Sequence, residues 1–206
     1  MRNLSLVYVL AAAAVVPACG PGVTAIVDES RPDHFFDHPW PTMKAIDAEG
    51  HPDLTGFPTA NLPLASSLSD GWAAALEKTA VHFGNNTGAY FRFDAALDLP
   101  DTLPGTVDDP VVWIDADTGE LSPLDVRFIA DPLGDPYYAT NTLAVVPSLG
   151  RGPRSGSTVV VAVMSDVARP ADDWSPTESV EEALELAGVS GRGAVATEFQ
   201  VQDVTG

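Results

Sequence analysis

Hydrolytic and metal chemistry both lean on imidazole, and the four histidines of this chain, His34, His38, His51 and His82, all fall in its first half. His34 and His38 have three residues between them, with Asp33, Asp37 and His51 near in sequence, a spacing that on a helix would make a zinc pair. Pro32, Pro39 and Pro41 deny the segment a helix interior. Residues 31–42 therefore read as extended coil, an aromatic clamp pinned to the domain by Phe35, Phe36 and Trp40. A serine nucleophile presented by a hydrolase elbow needs Gly-x-Ser-x-Gly, which turns the backbone sharply between strand and helix. The nearest approach, Gly188-Val189-Ser190-Gly191-Arg192, ends in arginine and precedes a strand. No catalytic set emerges, and the chain is expected not to be an enzyme.

Two binding patterns remain. Asp115-Ala116-Asp117-Thr118-Gly119-Glu120 alternates carboxylates around a glycine turn, a run of oxygen ligands that calcium accepts, although the distal bidentate glutamate of a full calcium loop is missing. Lying between two predicted strands, it reads more simply as a hairpin turn, so no cofactor is expected. Trp40, Trp72, Trp113 and Trp174 would form a glycan-stacking platform if exposed. Trp113 lies in an apolar strand and Trp72 on an apolar helix face, which assigns both to the core and leaves Trp40 and Trp174 as the two whose exposure decides whether a platform exists.

Cys19 is the only cysteine. It closes a stretch with the three parts of an export signal: Arg2, an apolar run over 4–16, and small residues at Ala18-Cys19-Gly20. The apolar run is shorter than the roughly 20 residues of a spanning helix. Val16-Pro17-Ala18-Cys19 resembles a lipobox, whose cysteine is acylated and becomes the new N-terminus; Pro17 departs from the usual pattern. The alternative is an ordinary secretory signal that leaves a free thiol. A lone thiol in an oxidising compartment has no partner for an internal disulfide, which favours the modified cysteine. Cleavage before Cys19 removes 18 of 206 residues and leaves 188. Gly20 after the cysteine, in place of aspartate, resembles the pattern that sends lipoproteins to the outer membrane.

The formal charge of −19 repels nucleic acid and anionic lipid head groups, so neither is an expected partner. At 45% hydrophobic residues the chain is too apolar to be disordered throughout. After a tether over 19–30 and the clamp comes irregular chain over 45–68, then a helix expected at about 70–83, capped by Ser69 or Asp70, with Trp72, Leu76, Ala80 and Phe83 on its packed face. Strand alternation begins at Ala89, and six or so strands follow, separated by glycine and proline turns. Ser175-Pro176-Thr177-Glu178 reads as a capping box that opens a helix at about 177–187, its Glu178, Glu181, Glu182 and Glu185 on a solvated face. The fold expected is mainly β, a β-sandwich with two helical insertions and an irregular N-terminal segment, forming one domain over 31–206 behind a signal at 1–18.

The order of motifs carries a resemblance. Asp33-His34-Phe35-Phe36-Asp37 with Pro39-Trp40-Pro41, then Phe91-Arg92-Phe93-Asp94, Ala96-Leu97-Asp98 and Thr102-Leu103-Pro104, then Asn141-Thr142-Leu143 with Pro147, and finally Ala187-Gly188-Val189 with Ala196-Thr197-Glu198-Phe199, is similar to the N-terminal Ig-like module of lipoproteins and secreted lipase-like proteins of Gram-negative bacteria, including myxobacteria. The resemblance covers nearly all of the mature chain. It implies an Ig-like or fibronectin-type sandwich that is not itself catalytic, followed in larger relatives by an α/β-hydrolase domain. The expected function is a membrane-anchored envelope lipoprotein, held by lipid on Cys19 at the outer membrane and serving as an interaction or accessory module. The alternatives are the front piece of a lipase or esterase, and a calcium- or glycan-binding surface module.

Overall fold

The computed structural model describes residues 22–28, 35–58, 63–135, 137–172 and 174–203, with the side chains of 63–69 left aside. The expected export signal, Cys19, Asp33 and His34 lie outside those residues, as do both ends of the expected tether. No helix among the described residues is long and apolar enough to cross a membrane.

The strands in chain order are β1 (Ala25–Ile26), β2 (Ala89–Phe93), β3 (Thr102–Leu103), β4 (Val111–Asp115), β5 (Leu124–Ile129), β6 (Thr142–Pro147), β7 (Thr158–Met164) and β8 (Gly193–Gln200). The helices are α1 (Pro63–Thr79), between β1 and β2, and α2 (Glu178–Leu186), between β7 and β8. The strands form two antiparallel sheets, ordered β1-β2-β6-β5-β3 and β4-β7-β8. Phe91, Phe93, Leu124 and Leu143 of the first sheet share one buried core with Trp113, Val161, Val163 and Phe199 of the second, an arrangement consistent with a β-sandwich.

The sequence pattern of each sheet reflects what covers it. In β2 the buried Ala89, Phe91 and Phe93 alternate with half-buried Tyr90 and Arg92, as a sheet with one packed face requires. β4 and β7 instead read as continuous apolar runs, because the second sheet is covered twice. Its outer face meets α2, where Val112, Ile114, Val160 and Ala162 pack on Val180, Ala183, Leu184 and Ala187.

Both helices begin elsewhere than the sequence suggests. α1 starts seven residues before the expected 70, at Pro63, whose fixed φ suits a first turn. Ser69 and Asp70 consequently lie inside it instead of capping it. It also stops at Thr79, because His82 takes a positive φ of 60° and Phe83 leaves the helix to bridge Val201. In α2 the N-cap is Thr177, whose hydroxyl accepts from Val180 N at 3.3 Å; the expected Ser175 sits outside. Gly188, with φ 76°, ends it in a Schellman motif, with Gly188 N donating to Glu185 O and Val189 N to Leu184 O.

The long insertion between β1 and β2 seals one side of the sandwich. Trp40 and Tyr90 exchange backbone hydrogen bonds of 3.1 and 2.7 Å beside β2, and the Thr197 hydroxyl of β8 donates to Pro41 O. Further on, Phe83 N donates to Gln200 O and Gln202 N to Phe83 O. The backbone of Tyr90 on β2 and the carbonyl of Gln200 at the end of β8 thus find partners within the insertion.

Candidate functional site: an aromatic cleft

Between α1 and the inserted segment lies a cleft of about 550 Å³. Eight of its nineteen lining residues are aromatic, half of all the aromatic residues in the chain: Phe36, Trp40, Phe57, Trp72, Phe83, Tyr90, Tyr137 and Tyr138. None of the nineteen is Asp, Glu, Lys or Arg, although 19% of the chain is charged. The cleft has the size and apolar lining of a small-molecule site.

Each wall has a local cause. Phe35, Phe36 and Trp40 follow one another on a 3-10 turn (Phe35–Asp37) and the extended chain after it. Phe36 stacks on Tyr90 at 4.8 Å, and Trp40 meets Phe83 edge to face at 5.3 Å. Edge-to-face contacts then run from Phe83 to Phe199 and from Phe199 to Trp113, at 5.7 and 5.6 Å, so the cleft floor is continuous with the sandwich core. The helical wall comes from Trp72 and Leu76 of α1, spaced at i and i+4, continued by Ala80 just past its end, whose N donates to Leu76 O at 2.8 Å. It is tied down by Leu54 N donating to Glu77 Oε1 at 3.0 Å and by a 2.6 Å hydrogen bond between His51 Nδ1 and Ala80 O. A polar edge is supplied by His82, Asn86, Thr87 and Gln202, brought together because Gln202 N bonds Phe83 O.

Burial pushes the Tyr90 phenol above its ordinary value near 10, and its hydrogen bond with Tyr138 adds to the rise. A raised folded pKa means stability that is fully present below the unfolded value near 10 and is lost as pH rises through the folded pKa. Urea midpoints of the natural protein are therefore expected to fall above about pH 10, and Tyr90→Phe to flatten that fall.

No family model, curated protein or solved structure matches the chain.

The tryptophans are distributed differently from the sequence expectation. Trp113 is buried, as its strand implies, but Trp40 is 8% exposed and Trp174 half-buried, so they form no surface platform. Trp72, expected in the core, is 59% exposed. The reason is the partner of α1: its apolar stripe faces the cleft and the clamp, not a sheet.

The other sequence candidates are also resolved by their neighbours. Asp115 receives Arg154 in two-pronged fashion, Nε to Oδ2 and Nη2 to Oδ1, both at 2.9 Å, while Asp115 Oδ1 also accepts from Asp117 N and Thr118 N. Arg154 reaches Asp117 Oδ2 at 3.4 Å as well, and its pairing with Asp115 pushes the guanidinium pKa further up. A calcium ion would have to displace an arginine that already occupies these carboxylates. Melting in calcium and in chelator is expected to give the same transition temperature, since only a ligand of the folded state raises it; a rise with calcium would show that Arg154 yields.

Among the described residues no group of three or more His, Cys, Asp or Glu side chains comes together as a metal site. Around His38 the chain makes a single 3-10 turn and then a bend, not a helix, and Asp37 is paired with Arg92. Ser190 lines a separate cleft of about 310 Å³ with Trp174, Glu181 and Glu185, and no histidine lines it.

Proposed function

We propose that this protein is a lipid-anchored, non-catalytic Ig-like module of the bacterial cell envelope, whose working surface is the aromatic cleft. The Ig-like reading is supported by the strand order. With the two-residue edge strand β3 set aside, the sheets run β1-β2-β6-β5 and β4-β7-β8. Lettered in chain order, these are A-B-E-D against C-F-G, the division of an Ig constant-type sandwich. Trp113 then falls on strand C, where that fold carries its core tryptophan. Where antibody domains have an inter-sheet disulfide, β2 and β7 contribute buried Phe91 and Val161.

The single observation that carries the interaction reading is the lining of the cleft. General acid-base and nucleophilic catalysis need a positioned nucleophile with a base beside it. The aromatic cleft offers ring faces, amides, hydroxyls and the single imidazole of His82, with no Ser, Cys, Asp or Glu in its lining, the makings of recognition. The anchor is supported by the signal and the lipobox-like approach to Cys19. One acyl chain holds a protein only marginally, whereas the several carried by a mature lipoprotein N-terminus hold it stably. The acidic sandwich would then sit at the membrane surface on the tether that follows Cys19.

The test is labelling of cells with an alkyne fatty acid, comparing the natural protein with Cys19→Ala. Label on the natural protein alone, recovered with membranes, is the expected result. If both forms stay unlabelled, the anchor is wrong.

A further inference from the structure

We infer that the aromatic cleft binds a neutral carbohydrate, presented as a short oligosaccharide. The inference deepens the binding-module reading and rests on it, while being independent of the anchor. Three properties of the lining select the ligand class. First, no Asp, Glu, Lys or Arg lines the cleft in a chain of net charge −19, His82 being its one imidazole, so a cation finds no carboxylate there, while an anion finds no guanidinium or ammonium and is repelled by the molecule as a whole. Second, aromatic faces remain accessible: Trp72 is 59% exposed and Tyr137 39%. A pyranose presents an apolar C–H face that such rings cover while its hydroxyls stay wet, and Tyr and Trp suit ligands that are apolar on one side and polar on the other. Third, His82, Asn86, Thr87 and Gln202 form a polar edge. Amides donate and accept at once, as sugar hydroxyls do, and the Thr hydroxyl does the same.

The third property separates a sugar from an alkyl chain. An acyl chain in the cleft would cover the aromatic wall equally well, but it would strip water from the polar edge and return no hydrogen bonds. A sugar returns them. The cleft volume of about 550 Å³ lies within the range for small-ligand sites.

The test is a tryptophan-fluorescence titration of the purified full-length protein. The probes are chitohexaose, cellohexaose and maltohexaose as neutral oligosaccharides, pentagalacturonate as a charged one, and hexadecanol as an alkyl chain. Saturable binding of at least one neutral hexasaccharide is expected, with none of pentagalacturonate or hexadecanol. Trp72→Ala is expected to weaken that binding at least tenfold with the melting temperature held within about 2 °C, since the side chain is mostly exposed. Asn86→Ala, also at an exposed position, is expected to weaken it severalfold, a loss that a purely apolar mode would not show. Binding of hexadecanol alone, binding of no neutral sugar, or sugar binding indifferent to Trp72→Ala would each overturn the inference. Fatty-acid labelling of Cys19 and assays of chemistry report on other parts of the proposed function, so failure here is distinguishable from failure there.

Discussion

Replacing Trp113 by alanine is expected to lower the unfolding free energy by about 3–5 kcal/mol. Trp113 is 1% exposed, lies at the centre of β4, and meets Phe199 edge to face at 5.6 Å. Its removal withdraws the largest fully buried side chain from the core shared by both sheets, and the pairing of β4 with β7 on one side and with Leu121 and Ser122 on the other restricts how far the gap can close. Single domains are stable by only about 5–15 kcal/mol, so the variant would stand near the edge of folding. Trp113→Phe separates packing from polarity. The indole Nε1–H is buried with no hydrogen-bond partner among the described residues, an arrangement that costs about 1–3 kcal/mol. Phenylalanine gives up some volume and removes that donor, so its cost is expected to stay below about 2 kcal/mol. Urea unfolding at constant m-value measures both. An alanine variant within about 1 kcal/mol of the natural protein would contradict the shared core of the two sheets.

Asp37→Ala is expected to cost about 2–4 kcal/mol, because it leaves the Arg92 guanidinium largely buried without its counter-charge. The side chains of the pair are 8% and 15% exposed for Asp37 and Arg92. Arg92 is anchored on β2 and its Nε also donates to Thr140 O at 3.3 Å, while Asp37 belongs to the 3-10 turn of the clamp and its carbonyl accepts from Asp28 N. The ion pair therefore fastens the clamp to the sheet. Adding Arg92→Met to Asp37→Ala is expected to recover part of the loss, since the uncompensated charge goes with it. If the double variant loses as much as the two single changes summed, the residues are not coupled. A clamp loosened in this way would also carry Phe36 out of the cleft wall, so oligosaccharide affinity should fall together with stability.

Much of the sandwich was legible because its signals are local. The alternation of Ala89, Phe91 and Phe93 against Tyr90 and Arg92 fixes which face of β2 is buried, and the apolar run over Thr158–Met164 marks a strand, although the expectation of one buried face fails there because α2 covers the other. α2 was legible to within a residue at either end, because its cap and its terminating Gly188 lie beside it in sequence. β3 escaped notice, being only two residues long at an edge. The start of α1 differs from expectation because Pro63 falls in the stretch that reads as irregular chain over 45–68, although a proline is equally at home in a first helical turn. The exposure of Trp72 was missed for a different reason. A 3.6-residue stripe shows that a helix has an apolar face but not what that face meets, and here it meets a cleft.

The cleft itself had no sequence fingerprint. Its lining is gathered from the clamp, the chain at 52–58, α1, the chain at 80–90, Tyr137 and Tyr138, and Gln202, stretches far apart in sequence that the fold brings together. The available signal was the aromatic density of the clamp, which pointed to packing. Likewise the carboxylates at Asp115 and Asp117 were visible in sequence, but Arg154, about forty positions away, was not assignable to them without the fold.

Whether the protein works by holding a ligand and not by transforming one is tested most directly with the purified mature chain, residues 19–206, and a short-chain p-nitrophenyl ester. Release of the phenol at the rate of buffer alone is the expected result. Hydrolysis above that rate, abolished by a single serine substitution, would contradict a non-catalytic module.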